Sequence, residues 1–387
     1  MSAVVQSKTE KDPRVEAAIS HWAPRFVSNG VPLADFQEVT ASCRRWEDWC
    51  AAWSARAAIH EELGNKALAG GYNYSAGQHF TRAAVCYHFG KFLFVNDMAQ
   101  MREAHRRAVE CRNKALPLID PPGERVAIPY EGKLLYGNLR KPTTAQPSNA
   151  AQPSNTAQPS SAAQPSSAAA KPPIVVMCMG LDSAKEEMDD YENRFLKRGL
   201  ATLSFDGPGQ GEAEYDFPLC PEFEKPVKAV IDCIETRTDV NSARIGIWGV
   251  SLVGYYAPRA AAFERRIRAC VALSGPFQRS ADFTGRPQMN VETFRVRSKS
   301  ANLEEAGKVA LRFTLAQCAK NITCPIYIVA GTQDRLTPHT EGRKLAASVS
   351  GPCVLSVIEG GNHVVNNLWY RYRDQTADWM ATQLGSR

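Results

Sequence analysis

The chain has 387 residues, 44% of them hydrophobic, and a formal net charge of +6. That length suits one large α/β domain and a smaller companion, each with its own core. No apolar run of about 18 residues occurs, residues 1–15 are polar, and the arginines of 259–268 are not interleaved with aromatics; we therefore expect no membrane span, secretion signal or nucleic-acid surface, and a cytoplasmic protein.

Up to about Asp120 the pattern is helical, with apolar residues three and four apart and no alternation. Trp46, Trp49, Cys50 and Trp53 form one stripe, and Phe80, Ala84, Tyr87 and Lys91 mark the face of another helix. Such stripes point to helix-to-helix core rather than to an aromatic ligand box. A third helix is expected over 98–116, stopped by Pro117 and then Pro121-Pro122. His21, His60, His79, His88 and His105 fall in this part and read as packing or surface residues.

After Pro122 the period changes. Strand-like runs occupy 125–130, 133–139, 174–179, 201–205, 244–248, 269–273, 325–330 and 353–358. From the third onward they are nearly continuous apolar runs separated by helical stretches, as expected of strands covered on both faces of a parallel sheet. The expected fold is α/β: an eight-stranded, mostly parallel α/β-hydrolase sheet over 123–387, with an all-helical cap over 1–122. Residues 142–173 carry four hexads built on Ala-Gln-Pro-Ser, at 144–149, 150–155, 156–161 and 162–167. With almost no large apolar side chains this stretch cannot offset its ordering entropy, and it reads as a surface insertion in the catalytic domain.

The chemistry concentrates after three of these strands. Gly249-Val250-Ser251-Leu252-Val253-Gly254 follows the fifth, Gly331-Thr332-Gln333-Asp334 the seventh, and Gly360-Gly361-Asn362-His363 the eighth. Serine, acid, histidine is the chain order of the α/β-hydrolase triad. Ser251 would be the nucleophile, His363 the general base, and Asp334 the group that orients and stabilises the imidazole. Asp334 has a second reading, as cap of a helix starting near Pro338. Val253 stands where a small residue is usual, and a β-branched side chain there would crowd the turn or change its angle. The oxyanion donors expected are the backbone N–H groups of Leu252 and of Leu181.

The glycine-rich run from Asp206 to Glu212 lacks the P-loop ending and the dinucleotide spacing, and reads as a rigid turn at the rim of the site. No cluster shows zinc spacing, so neither a metal nor a redox cofactor is expected. Eleven cysteines, an odd number without a Cys-x-x-Cys pair, read as free thiols, with Cys178, Cys270 and Cys353 as small buried residues.

Trp46-Glu47-Asp48-Trp49, Leu116-Pro117, Pro121-Pro122-Gly123-Glu124, Gly180-Leu181-Asp182-Ser183-Ala184-Lys185-Glu186-Glu187 and the run 205–212 complete a pattern with the triad motifs. Together they resemble the 2,6-dihydroxypseudooxynicotine hydrolase family and its fungal relatives that shorten polyketide chains. The resemblance implies a serine hydrolase cleaving a carbon–carbon bond beside a ketone, in an acylated hydroxyaromatic or β-diketone-like small molecule. It also implies a helical domain over the active site, a homodimer, and an additional acid in the cleft, for which Asp282 and Glu292 are candidates and Asp282 is chosen. Two departures from the pattern are Val253 and the basic stretch 278–289, which carries Arg279 and Arg286. Alternative functions are an ester or thioester hydrolase of the same fold and a non-catalytic ligand receptor on that scaffold.

Overall fold

The computed structural model describes residues 11–143, 171–178 and 180–386. The four hexads fall outside the described residues. Five helices come first: α1 (Pro13–Ser28), α2 (Leu33–Ser42), α3 (Trp49–Ala69), α4 (Asn73–Lys91) and α5 (Met98–Ala115). Asp12 caps α1 by accepting from the Arg14 N–H, and Pro13 takes the first helical position, where a missing N–H costs nothing. Asp97 caps α5 through the Ala99 and Gln100 N–H groups.

The tryptophan stripe is helix core, as its spacing predicts. Trp46, Trp49 and Trp53 are buried, Phe26 stacks on Phe89 with centroids 3.7 Å apart, and Trp49 Nε1 donates to the Phe89 carbonyl at 2.9 Å. Burying rings of this size stabilises the packing by roughly 1.5–3 kcal/mol each.

The strands are β1 (Gly123–Tyr130), β2 (Lys133–Arg140), β3 (Pro173–Cys178), β4 (Ala201–Phe205), β5 (Asn241–Val250), β6 (Ile267–Leu273), β7 (Ile326–Gly331) and β8 (Cys353–Ile358). Each of the eight expected runs overlaps a strand; Met179, the last residue of the third run, falls outside the described residues. They form one sheet in the order β1-β2-β4-β3-β5-β6-β7-β8, antiparallel on both sides of β2 and parallel from β4 to β8, which is the α/β-hydrolase arrangement. The remaining helices are α6 (Asp189–Leu196), α7 (Glu224–Glu235), α8 (Val253–Phe263), α9 (Gln288–Arg297), α10 (Leu303–Leu311), α11 (His339–Ser348) and α12 (Arg373–Leu384).

Period-two alternation divides the apolar side chains between two cores. Ile174, Val176 and Cys270 pack with Val227 and Ile231 of α7 and Tyr256 of α8, while Val175, Met177 and Val271 pack with Phe195 of α6 and Met380 of α12. Both faces are therefore dry, which is why the central strands read as unbroken apolar runs. The cysteines are unpaired; Cys178 and Cys270 are buried, but Cys353 is exposed because it opens the edge strand β8. Among the described residues no helix is long and apolar enough to cross a membrane.

The five leading helices meet the sheet body through charge as well as apolar contact. Buried pairs join Lys91 to Glu214 at 2.9 Å, His88 to Glu187 at 2.7 Å, Arg112 to Glu192 at 2.8 Å and Arg25 to Glu187 at 2.9 Å. From the other side, Arg373 of α12 donates to the Ser28 carbonyl and the Asn29 side chain, pinning the end of α1.

Candidate active site

β5 ends at Val250 and α8 begins at Val253, so the chain reverses within two residues. Ser251 takes up that reversal with φ 61°, a left-handed conformation that few non-glycine residues adopt. Its N–H donates to the Leu273 carbonyl and its carbonyl accepts from Gly254, both at 2.8 Å, so the turn is held from both sides.

The flanking glycines are steric requirements. A Cβ on Gly249 would lie 2.3 Å from the Val253 carbonyl oxygen, and one on Gly254 would lie 2.5 Å from the Gly275 Cα. Val253, expected to crowd the elbow, does not disturb it. Its side chain is fully buried against the space Gly249 leaves open, and the close backbone contact falls to Gly254 instead.

The three residues chosen from chain order converge. Ser251 Oγ lies 2.8 Å from His363 Nε2, and His363 Nδ1 lies 2.8 and 3.0 Å from the two Asp334 carboxylate oxygens. Asp334 Oδ1 also accepts from the Leu336 and Thr337 N–H groups at 2.9 and 2.8 Å. The carboxylate thus faces the imidazole and closes the turn ahead of α11, but it does not cap that helix. The helix itself starts from Pro338, without a side-chain cap.

His363 is fixed by a costly loop. Val364 and Val365 both have positive φ, at 61° and 54°. For β-branched residues that costs on the order of 1–3 kcal/mol each. Burial of both side chains, a bond from Val364 N–H to Ser274 Oγ at 3.1 Å and one from Val365 N–H to the Asn362 carbonyl at 2.8 Å offset the strain.

Ser251 and His363 open onto a cavity of about 680 Å³, which Leu181 and Leu252 also line. A Cβ on Gly180 would stand 3.4 Å from the Ser251 Cβ, so the 180–181 backbone passes directly beside the serine. The glycine-rich turn expected at the rim lies behind this loop. Among the described residues it contributes nothing to the cavity lining, and Gln210 Nε2 donates to the Gly180 carbonyl at 3.2 Å.

The additional acid is a correction. Asp282 is exposed, accepts from the Thr284 N–H in a local turn and is not part of the cavity lining, while Glu292 pairs with Arg295. The carboxylates that do line the cavity, apart from Asp334, are Asp182 and Glu187, on the loop that carries Leu181. Arg25 reaches down from α1 to bind Asp182 Oδ2 at 3.0 Å, Ser183 Oγ at 2.8 Å and Glu187 at 2.9 Å. Burial alone would raise Glu187; the charges of Arg25 and His88 outweigh it and hold the carboxyl down to about 2.

His21 and Trp22 of α1 line the cavity as well. Sequence reasoning read His21 as a packing or surface residue and did not single out Trp22. Arg25 had a usable signal: Val15, Ala18 and Trp22 set the buried face of α1, and position 25 continues it, so a charge there had to find a partner.

Among the described residues two groups carry metal-ligand chemistry, Asp35 with His60 and Cys86, and His105 with Glu186 and Asp206. Neither fits an ion well. Arg56 already pairs with Asp35 at 2.9 Å, and Lys185 Nζ sits 2.7 Å from Glu186 and 2.8 Å from Asp206, supplying the positive charge those carboxylates need.

Residues 162–385 match the family described as Esterase FrsA-like. The chain is also 31% identical to the 2,6-dihydropseudooxynicotine hydrolase of Paenarthrobacter nicotinovorans, over 94% of this chain and 92% of the relative. The chain belongs to this family of α/β-hydrolases. It is a hydrolase by membership, and the resemblance read from its motifs is borne out. A solved structure of 2,6-dihydroxy-pseudo-oxynicotine hydrolase superposes on this FrsA-like hydrolase with a TM-score of 0.80 at 29% identity, covering 94% of this chain and 96% of the other. The 20-hydroxy-prefusarin hydrolase of Gibberella moniliformis is 31% identical over 59% of the chain, a match spanning about half of that relative's length (52%).

Proposed function

We propose that this hydrolase cleaves a carbon–carbon bond beside a ketone in an acylated hydroxyaromatic or β-diketone-like small molecule. The observation that carries the reading is the 2.8 Å approach of Ser251 Oγ to His363 Nε2, with Asp334 on the far ring nitrogen, at the wall of a cavity large enough for such a substrate. Similarity to hydrolases whose names specify an oxynicotine or a prefusarin supports the substrate class.

In this mechanism Ser251 Oγ adds to the ketone carbon while its proton passes to His363 Nε2. The Leu181 and Leu252 N–H groups face the oxyanion. Collapse re-forms the carbonyl and breaks the carbon–carbon bond, and the electron pair leaves with the departing carbon, which takes the proton back from His363. Water, deprotonated by His363, then adds to the acyl-serine and releases the acid. The departing carbon must tolerate negative charge, which a hydroxylated ring or a second carbonyl provides.

Residues 1–122 act in this reading as a cap, because α1 supplies His21, Trp22 and Arg25 to the cavity wall opposite the sheet body of 123–387. The unpaired cysteines support a reducing, cytoplasmic setting. A homodimer completes the proposal, and light scattering on the purified protein tests it.

A second reading, hydrolysis of a carboxylic ester, is favoured by the esterase description of the matching family. Aryl ketones and nitrophenyl esters offered to wild type and Ser251→Ala, with products identified by mass, decide between them. Turnover of ketones lost in the variant is the expected result; a strong preference for esters overturns the carbon–carbon reading.

A further inference from the structure

Most charges in the interior of this protein are matched. Arg25, Lys91, Arg112, Lys185 and Arg373 each lie within 3 Å of a carboxylate oxygen. Two arginines of the cavity wall break that rule. Arg279 and Arg286 both line the cavity, and among the described residues neither forms an ion pair with any carboxylate.

Arg279 is enclosed by protein, keeps some surface accessible at the cavity, lies with its guanidinium 4.5 Å above the Phe294 ring, and has a shielded Nε without a partner. The Arg286 side chain donates to the Leu336 carbonyl at 3.2 Å. Burial, aggravated by the charge of Arg286, pulls the Arg279 guanidinium down to about 9. Burial likewise lowers Arg286, against the opposing pull of Asp334. A guanidinium does not give up its proton in ordinary protein surroundings, so the unfavourable charge calls for an anion.

Other residues of the lining add to its basic character. Arg335 and His21 also line it, and His21 is lowered first by burial and then by the Arg335 charge. The acids that face the cavity are engaged elsewhere: Asp182 and Glu187 by Arg25, and Asp334 by His363.

We propose that Arg279 and Arg286 form a carboxylate-binding subsite in the cavity wall, so that the substrate of this hydrolase carries an acid group in addition to the bond that is cleaved. Two planar donor forks without a carboxylate partner among the described residues match a carboxylate ligand, and the Phe294 ring under one fork holds it in place. The inference deepens the functional proposal and rests on its assignment of this cavity as the active site.

Binding rather than turnover tests it, so that the outcome does not depend on which bond is cleaved. Calorimetry on the wild-type protein compares the ω-phenyl acids from 3-phenylpropanoate to 6-phenylhexanoate with their neutral amides. At least one acid is expected to bind about tenfold or more tightly than its amide, with an affinity that falls as sodium chloride is raised. Arg279→Gln/Arg286→Gln, checked for folding by its melting curve, is expected to bind acid and amide alike, and Arg279→Lys/Arg286→Lys to recover part of the preference. Equal binding of every acid and amide by wild type, or a preference that ignores salt, overturns the subsite; so does a preference that survives in the folded glutamine variant. Failure of the catalytic reading shows separately, as absence of ketone and ester turnover with the acid preference intact.

Discussion

Two regions of the molecule hold their side chains by opposite means. Around Ser251 and His363 the work is done by backbone: left-handed φ at Ser251, Val364 and Val365, and glycines so closely approached that a Cβ would overlap the neighbouring chain. Between the leading helices and the sheet body it is done by buried charge: Arg25, His88, Lys91 and Arg112 against Glu187, Glu214 and Glu192. The first kind of region tolerates changes of charge and fails on added volume. The second tolerates small changes of volume and fails when one partner loses its charge.

The sharpest cut between the two is Ser251→Ala, which removes the proposed nucleophile and leaves both the glycine contacts and the ion pairs alone. Activity is expected to fall about 10⁴-fold or more while stability moves by less than about 0.5 kcal/mol. Steady-state rates and a denaturant titration check the pair of outcomes. Retained activity would transfer the nucleophile to another group.

Arg25→Met attacks the charged region. It strands Asp182 and Glu187 without their shared cation, at an expected cost of about 3–5 kcal/mol. Because Asp182 adjoins Leu181, kcat should fall along with the melting temperature. The carboxylate side of the same pair gives a pH signature. Glu187, ordinarily near 4.5, is held at about 2 by Arg25 and His88 in spite of its burial. Its contribution to stability is complete above pH 4.5 and is lost as pH falls toward 2. Glu187→Gln should therefore be less stable at neutral pH yet lose less of its stability than wild type between pH 4.5 and 2. Melting curves across that range test this, and parallel curves would mean that Glu187 carries no such charge.

This contrast also explains what was legible in the chain. The central strands were readable because a sheet covered on both faces demands apolar runs, and Ser251, Asp334 and His363 were found because they follow strands in a fixed order. β5 alone extends well past its expected ends, since its first residues, Asn241, Ser242 and Ala243, look like loop; Asn241 is paired with Pro173 of β3, and the register shifts before the pairing resumes at Ile245. The charged interface was not readable, because which acid meets Lys91 or His88 depends on how α4 lies on the body. Asp282 was misplaced for the same reason: its position after Leu273 sets its distance along the chain but not the direction in which the loop folds. Arg279 and Arg286 were visible as a basic departure, and only the fold shows that they face a cavity.

Gly254→Ala tests the backbone region by volume alone. The added methyl would meet the Gly275 Cα at 2.5 Å and the Leu273 carbonyl at 2.5 Å, both backbone atoms with no rotamer to yield. A loss of about 1–3 kcal/mol is expected, with a fall in activity as α8 is pushed away from Ser251. A melting curve and a fluorophosphonate labelling rate at Ser251 would both register it, and an unchanged labelling rate would show that the turn does not depend on this contact.

Deletion of residues 144–167 should have the smallest effect, because neither kind of restraint is touched. Arg140, at the end of β2, pairs with Thr202 of β4, which in turn pairs with Val175 of β3. The ends to be joined are thus two strand spacings apart, about 10 Å. Residues 141–143 and 168–172 would remain between the two strands, and a chain of that length spans roughly 25–30 Å when extended. The connection is therefore long enough without the hexads. Shortening it about fourfold lowers the closure entropy by about 1 kcal/mol, so the truncated protein should be as stable as wild type or slightly more so, with unchanged kcat and KM. A loss of activity in a folded truncation would give the hexads a role in the chemistry that their composition does not suggest.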